Sequence, residues 1–582
     1  MFRSLLLIFL ALASQSLIAA DAPWIEESNQ NAEVLLEGLA RYQPETAANL
    51  GVQGYDEAVM DLKPGVVQRQ DRDLQTAIET LEQRRSKATD KRVQQDLDIL
   101  IDAARDQRQT LALTEKYLLP FFDLTQSIFS GFQNILDARV AKDRHAAALV
   151  RLRRYVGAEK GYEPIAKLAR DRYEEAAQNT ALLGPWNKEA QQYLDNQARY
   201  LDGIEDLLKQ SGLKGWQKDL RTLRKQLDEY AAWVRSSVLP RARTSNQLPA
   251  EIYADNLKSF GVEMQPEELM ERAQASYMQT REELQSLSRQ VAAQRKWSFN
   301  DYREVLRELK KERIDQSNLM PFYRNRLSQL EDIVRKEHIV TLPERDAVIR
   351  LATEAESAAS PAPHIDPPRL VGNTGEPAEF VLPLANPNAA PGTVMDDFIF
   401  DAISWTLTAH EARPGHELQF AAMLERGVST ARVVFAFNSA NIEGWALYAE
   451  AVMKKHLPLE GQIGSLQARL MREARAFLDP MLNLGMIQPD AAKRFLMEEV
   501  VLSEPMAQQE VDRYTFRAPG QATAYFYGYT KLNALRTRVE LAMGQRFDQQ
   551  SYHDFIVNQG LLPFEVLERV VTEEYVRAGV TK

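Results

Sequence analysis

The residues most able to do chemistry lie in one stretch, HEARPGHELQ, residues 410–419. His410, Glu411 and His416 bring two imidazoles and a carboxylate close together in sequence. On a regular helix residues four apart share a face, which is how the pattern H-E-x-x-H aims two histidines at one metal ion. Here the second histidine comes six residues after the first. That is a turn of about 240°, which would point the rings apart in an unbroken helix. Between them stand Pro414, with no N–H and a ring that clashes with the preceding turn, and Gly415, which accepts unusual backbone angles. A local bulge at this pair, absorbing two residues, would return His416 to the face of His410.

Catalytic zinc takes three protein ligands and keeps one position for water. The stretch NIEGWALYAE, residues 441–450, offers Glu443 as the third, with Glu450 two turns further on nearly the same face. Glu411, beside the first ligand but not bound, would then be the general base acting on a water whose pKa the ion lowers to about 7. The other histidines, His145, His338, His364, His456 and His553, stand alone in the sequence and read as satisfied or solvated side chains.

Hydrolysis of an amide also needs a donor aimed at the tetrahedral oxyanion. Tyr525, just past Pro519 and Gly520, is the first candidate, with Tyr527 and Tyr529 as substitutes; clustered tyrosines serve equally as packing. Arg513 and Arg517 could grip a substrate carboxylate, or pair with Glu510 and Asp512, and Gln521 could bond a substrate backbone. Trp445 and Tyr448 are expected to pack the helix of Glu443 against the motif helix. Asp479 would orient the second nitrogen of a histidine if it approaches one.

The elements that must position these groups are helical. DKRVQQDLDILIDAARDQRQTLALTEKYL, residues 90–118, repeats apolar residues at three- and four-residue spacings between good helix formers, and similar stretches run from about residue 24 to 358. LLGPWNKE (182–189) and SGLKGW (211–216) read as turns between helices. Proline and glycine then crowd residues 357–392, where the run 380–384 reads as an edge strand or a loop, and such an edge could pair with an extended peptide. Asp396 or Asp397 is expected to cap a helix running through FIFDAISWTLTAHEA. The fold class expected is all-α, with at most a minor β hairpin or edge strand.

Composition narrows the partners. A hydrophobic fraction of 45% and a charged fraction of 26% are those of a soluble globular protein, and a net charge of −11 argues against nucleic acid. The first twenty residues, MFRSLLLIFLALASQSLIAA, have a basic start, an apolar run and small residues at Ala19 and Ala20. They read as a signal peptide cut after Ala20, the run being short against the ~20 residues of a membrane span. With no cysteine there is no lipid-attachment thiol, disulfide framework or thiolate ligand. A periplasmic or secreted protein without a membrane span in its mature chain is expected.

HEARPGHELQ, then EGWALYAE (443–450), then RYTFRAPGQATAY (513–525) resemble, in order, the motifs of the bacterial family of uncharacterised proteins known as DUF885, and PETAANLGVQGYDEAVMDL (44–62) is similar to its opening. The resemblance covers almost the whole mature chain. It implies one helical body with a central cleft, similar to the helical zinc peptidases such as angiotensin-converting enzyme, oligopeptidases and carboxypeptidase Taq. It also implies the gluzincin ligand set, carried here by His410, His416 and Glu443. Under it, residues 1–20 are the leader, 21–356 roof the cleft, 357–395 line it and 396–582 form the catalytic region. Two positions depart from the pattern: Asn483, four residues after Asp479, stands where relatives commonly have histidine, and Glu417 where a second consecutive histidine is frequent. The reading reached is a zinc-dependent metallopeptidase acting on short peptides. The alternatives are a non-catalytic periplasmic peptide- or metal-binding protein and a metal-dependent hydrolase of another amide or ester.

Overall fold

The computed structural model describes residues 22–577 except 354–355, 358–359, 361, 374 and 384–393. The expected leader therefore lies outside the described residues. Helix makes up 69% of the chain and the only sheet described has three strands, so the fold class is all-α with a minor sheet.

The helices that matter for the site are numbered here in chain order. The first layer is α1 (Pro23–Tyr42), α2 (Val66–Lys87) and α3 (Lys91–Tyr117). Asp90 starts α3 by accepting a hydrogen bond from the Arg92 N–H at 2.8 Å, and Val93, Leu97, Leu100, Ile101 and Ala104 form its buried stripe. A second group follows: α4 (Leu124–Ile135), α5 (Ile165–Ala176), α6 (Asn187–Gln210) and α7 (Gln217–Trp233). It has its own apolar core, built on Leu124, Phe132, Ile204, Leu223 and Val234. The turns expected around Gly184 and Gly212 separate α5 from α6 and α6 from α7.

The largest core joins α8 (Pro266–Arg295) to the C-terminal helices α10 (Asp401–Glu411), α12 (Ser439–Lys454), α13 (Leu459–Asn483) and α14 (Ala524–Met543). It takes in side chains from both sides of the Pro/Gly-rich segment, Leu284 and Val334 with Leu466 and Phe526. Two further helices bear on the site, α9 (Leu319–Lys336) and α11 (His416–Arg426).

Three local expectations are corrected. The strand near residue 380 is β3 (Glu379–Leu382), and it lies between β1 (Val348–Leu351), parallel to it, and β2 (His364–Asp366), antiparallel to it. With both edges bonded, β3 is a central strand and has no free edge for a peptide. Secondly, neither Asp396 nor Asp397 caps the motif helix, which begins at Asp401 after Phe400. Both carboxylates instead accept from the buried Lys310 ammonium, at 2.9 and 2.8 Å, and Asp397 also accepts from the Ser503 N–H at 3.0 Å. A buried lysine needs anionic partners more than a helix needs a cap. Thirdly, the motif does not sit on one bulged helix, because α10 stops at Glu411 and α11 starts at His416.

Candidate metal centre

The break between α10 and α11 is built from its own sequence. A Cβ on Gly415 would stand 1.9 Å from the His410 carbonyl oxygen and 2.4 Å from that of Ala409, so only glycine lets the start of α11 press on the end of α10. Arg413 is buried and donates to Glu417 at 2.6 Å, to Glu331 of α9 at 2.7 Å and to the Arg345 carbonyl at 2.7 Å. Trp445 of α12 donates its Nε1–H to the Pro414 carbonyl at 3.0 Å. Pinned from three sides, the link holds His416 against His410, their ring centroids 4.7 Å apart and nearly perpendicular. Glu417 thus has a structural task, gripping Arg413 and standing 3.0 Å from Arg345.

His410, His416 and Glu443 converge, one ligand atom of each lying within 4.8 Å of the others. The Nε2 atoms of both histidines are 3.4 Å from the same oxygen, Glu443 Oε2. That oxygen and His416 Nδ1 are buried and have no hydrogen-bond partner among the described residues. Buried polar atoms are rarely left so, and the carboxylate oxygen, which faces both Nε2 atoms, is placed to meet a cation, whereas His416 Nδ1 lies on the other side of its ring. The donor set, two imidazole nitrogens and a carboxylate oxygen, suits zinc or a similar borderline ion. The residues present therefore fit a metal.

His410 is oriented from behind. Its Nδ1 is 2.6 Å from Glu450 Oε1, and Glu450 also accepts from the Thr406 hydroxyl and stands 3.4 Å from Arg472. With the Nδ1 proton held by Glu450, His410 would offer its Nε2 lone pair to a bound cation. Burial alone would lower the pKa of His410, yet the carboxylates of Glu443 and Glu450 beside its two nitrogens outweigh it and raise it to about 9. Burial would raise Glu443, and the two histidines hold it well below the usual carboxylate range. Both shifts say that positive charge is favoured here, and a cation would exploit the same field.

Glu411, the last residue of α10, is buried and accepts no hydrogen bond from the described residues. The Tyr525 ring lies nearly parallel to that of His410 with centroids 6.4 Å apart, and the guanidinium of Arg475 rests 4.5 Å from its centre. Burial, and then the charge of Glu443, raise the pKa of Tyr525, which keeps its hydroxyl protonated as a donor must be. Tyr527 packs on Phe564 and Tyr529 lies under Arg469, so of the three tyrosines Tyr525 is the one stacked on a cluster histidine.

The polar residues around residue 520 divide. Arg475 is bound to Glu510 through two hydrogen bonds, 2.6 and 2.8 Å, and Glu510 also accepts from the Tyr514 hydroxyl at 2.8 Å. Arg513 forms an ion pair with the same carboxylate at 3.5 Å, and its guanidinium donates no hydrogen bond to the described residues. Arg517 is exposed and donates to Gln192 of α6 at 3.1 Å, tying the α4–α7 group to the C-terminal body. Gln521 donates to the hydroxyl of Ser439, the first residue of α12, at 2.9 Å. Asp479 orients no histidine: it is wholly buried, accepting from the Tyr253 hydroxyl, the Gly520 N–H and the Asn483 amide, each at 3.0 Å. Asn483, with a further bond to the Tyr514 carbonyl, completes that knot. Glu450 has the role suggested for Asp479, and its place two turns after Glu443 was the signal for it.

Residues 44–571 match the family described as "Bacterial protein of unknown function (DUF885)". A solved structure from Shewanella oneidensis, described as a proposed lipoprotein of unknown function, has 18% sequence identity and a TM-score of 0.75, covering 95% of this chain and 100% of its own. Another from Colwellia psychrerythraea, described as a proposed lipoprotein, has 17% identity, the same TM-score and the same coverage. At these identities the likeness is one of fold. No curated protein matches. No described helix is long and apolar enough to cross a membrane.

Proposed function

The chain belongs to the DUF885 family, and from that premise we propose that it is a zinc-dependent metallopeptidase of gluzincin type, hydrolysing short peptides after export to the periplasm. The observation that carries the reading is the convergence of His410, His416 and Glu443, with a buried carboxylate oxygen that faces both Nε2 atoms and has no hydrogen-bond partner among the described residues. Export is supported by the description of both fold relatives as lipoproteins, although this sequence has no cysteine to carry a lipid.

His410, His416 and Glu443 would hold the ion, and Glu450 fixes the tautomer of His410. Zinc bound there would polarise the scissile carbonyl and lower the pKa of a water to about 7. Glu411, next to a ligand and with a carboxylate that accepts no hydrogen bond from the described residues, takes the proton of the attacking water and delivers it to the leaving amine. Tyr525, protonated and beside His410, donates to the oxyanion. Arg513, with unspent donors near Tyr525, is the group to receive a substrate carboxylate.

Replacing Glu411 with Gln keeps the ligands and removes the base. Zinc content is expected to stay at about one per chain while cleavage of short peptides falls by roughly 10²–10⁴-fold. Full turnover in the pure, zinc-loaded variant would remove Glu411 from the mechanism, and a wild-type protein that takes up no zinc would end the metallopeptidase reading.

A further inference from the structure

Away from the metal centre, two cavities of about 580 Å³ each lie between the α2–α3 pair and the α4–α7 group, and both are lined by Val66, Leu111 and Arg172. Each is in the size range of ligand sites. Both walls mix apolar and polar side chains. One has an aliphatic stretch along Val67, Leu118, Pro120 and Leu182 together with the charged Lys63, Glu115 and Glu175. The other presents Gln43, Asn49, Gln126, Ser130 and Asn134, none of whose side chains hydrogen-bonds to another described residue.

Arg172, on α5, stands where the two meet. Its guanidinium lies 5.3 Å from the centre of the Phe122 ring, a contact that fixes its position, and it makes no hydrogen bond or ion pair within the described chain. Asp61, Glu115 and Glu175 reach it only through their fields, and burial pulls its pKa down. Asp61 is already held by Arg69 at 2.7 Å, and Glu115 accepts from Gln68 at 3.0 Å. The guanidinium touches none of these carboxylates, so its N–H groups remain able to meet a ligand carboxylate through two parallel hydrogen bonds.

We propose that this is a second binding site, in which Arg172 holds the carboxylate of an amphiphile whose aliphatic chain fills the Val67–Leu182 cavity and whose amide portion meets the Asn/Gln-lined one. An N-acyl amino acid has that chemistry. The site does not depend on the metal centre or on any peptidase activity.

Calorimetry with N-decanoyl-L-glutamine on the mature chain tests it. One-to-one binding is expected, weakened at least ten-fold by Arg172→Gln and equally by converting the probe's carboxylate to a carboxamide, with no further loss when both changes are combined. Leu182→Trp should weaken the decanoyl probe and leave N-acetyl-L-glutamine unaffected, which guards against a misfolded Arg172 variant. The site is overturned by absence of binding, by equal affinity in Arg172→Gln, or by binding that disappears in Glu443→Gln, since the probe would then be sitting at the metal centre.

Discussion

Two buried histidine clusters hang from the same helix, α12, and they end differently. Toward its C-terminal half Tyr448 meets His553, from the helix Gln549–Val557. His553 Nδ1 lies 2.7 Å from the Ile339 carbonyl, which can only accept, so Nε2 is the acceptor for the Tyr448 hydroxyl, also at 2.7 Å. Arg536 donates to the same hydroxyl at 3.0 Å. Every polar atom of that histidine is spent inside the chain. One and a half turns earlier, Glu443 faces His410 and His416 with its Oε2 still unmatched among the described residues. Folding completes the first cluster, and the second is complete only with something added.

The largest expected effect separates the two. Glu443→Gln should lose zinc and at least about 10³-fold of peptide hydrolysis, yet melt without metal at the same temperature as the parent or higher, since a buried carboxylate oxygen without a donor costs stability. Tyr448→Phe should keep zinc and turnover and lose about 1–3 kcal/mol of stability, because His553 Nε2 is stranded. Elemental analysis beside thermal melts checks both. Zinc retained in Glu443→Gln would dissolve the contrast.

Acid should discriminate next. Burial lowers the pKa of His553 to about 4 from an ordinary 6.5. Between those values the unfolded chain binds more protons than the fold, so stability is fully present above pH 6.5 and drains as pH falls, by about 3 kcal/mol once it is below 4. His553→Gln removes that component. Melting profiles of parent and variant measured from pH 7 to 4 should converge on acidification, and parallel profiles would show that His553 does not titrate as its surroundings imply.

What could be read from the sequence follows the range of each interaction. The convergence of His410, His416 and Glu443 is legible because it is local, two residues across one loop and one on the next long helix. The helix beginning at Asp90 was equally legible from its cap and apolar stripe. What escaped depends on partners distant in the chain. Asp396 and Asp397 look like caps until Lys310 claims them. Asp479 looks available to a histidine until Tyr253 and Gly520 saturate it. The split between α10 and α11 needs Glu331 and Arg345 on Arg413, and neither can be placed there by spacing. The central position of β3 rests on β1 and β2, both short and weakly patterned.

The smallest effect probes an asymmetry within the metal centre itself. His410 has Glu450 behind it at 2.6 Å, whereas His416 Nδ1 has no partner among the described residues. If orientation from behind governs how firmly an imidazole serves as ligand, the centre leans on His410 being pre-set and on the ion itself to set His416. Glu450→Gln keeps the shape and weakens the charge-assisted bond, and such changes typically cost 10–100-fold in metal affinity, about 1.4–2.7 kcal/mol. Zinc competition against a chelator of known strength should show that loss, with Thr406→Val, which removes only the hydroxyl supporting Glu450, falling below it. Unchanged affinity in Glu450→Gln would mean that the rigid α10–α11 junction, held by Arg413 and Trp445, orients both rings unaided, and the two histidines would then be equivalent despite their different surroundings.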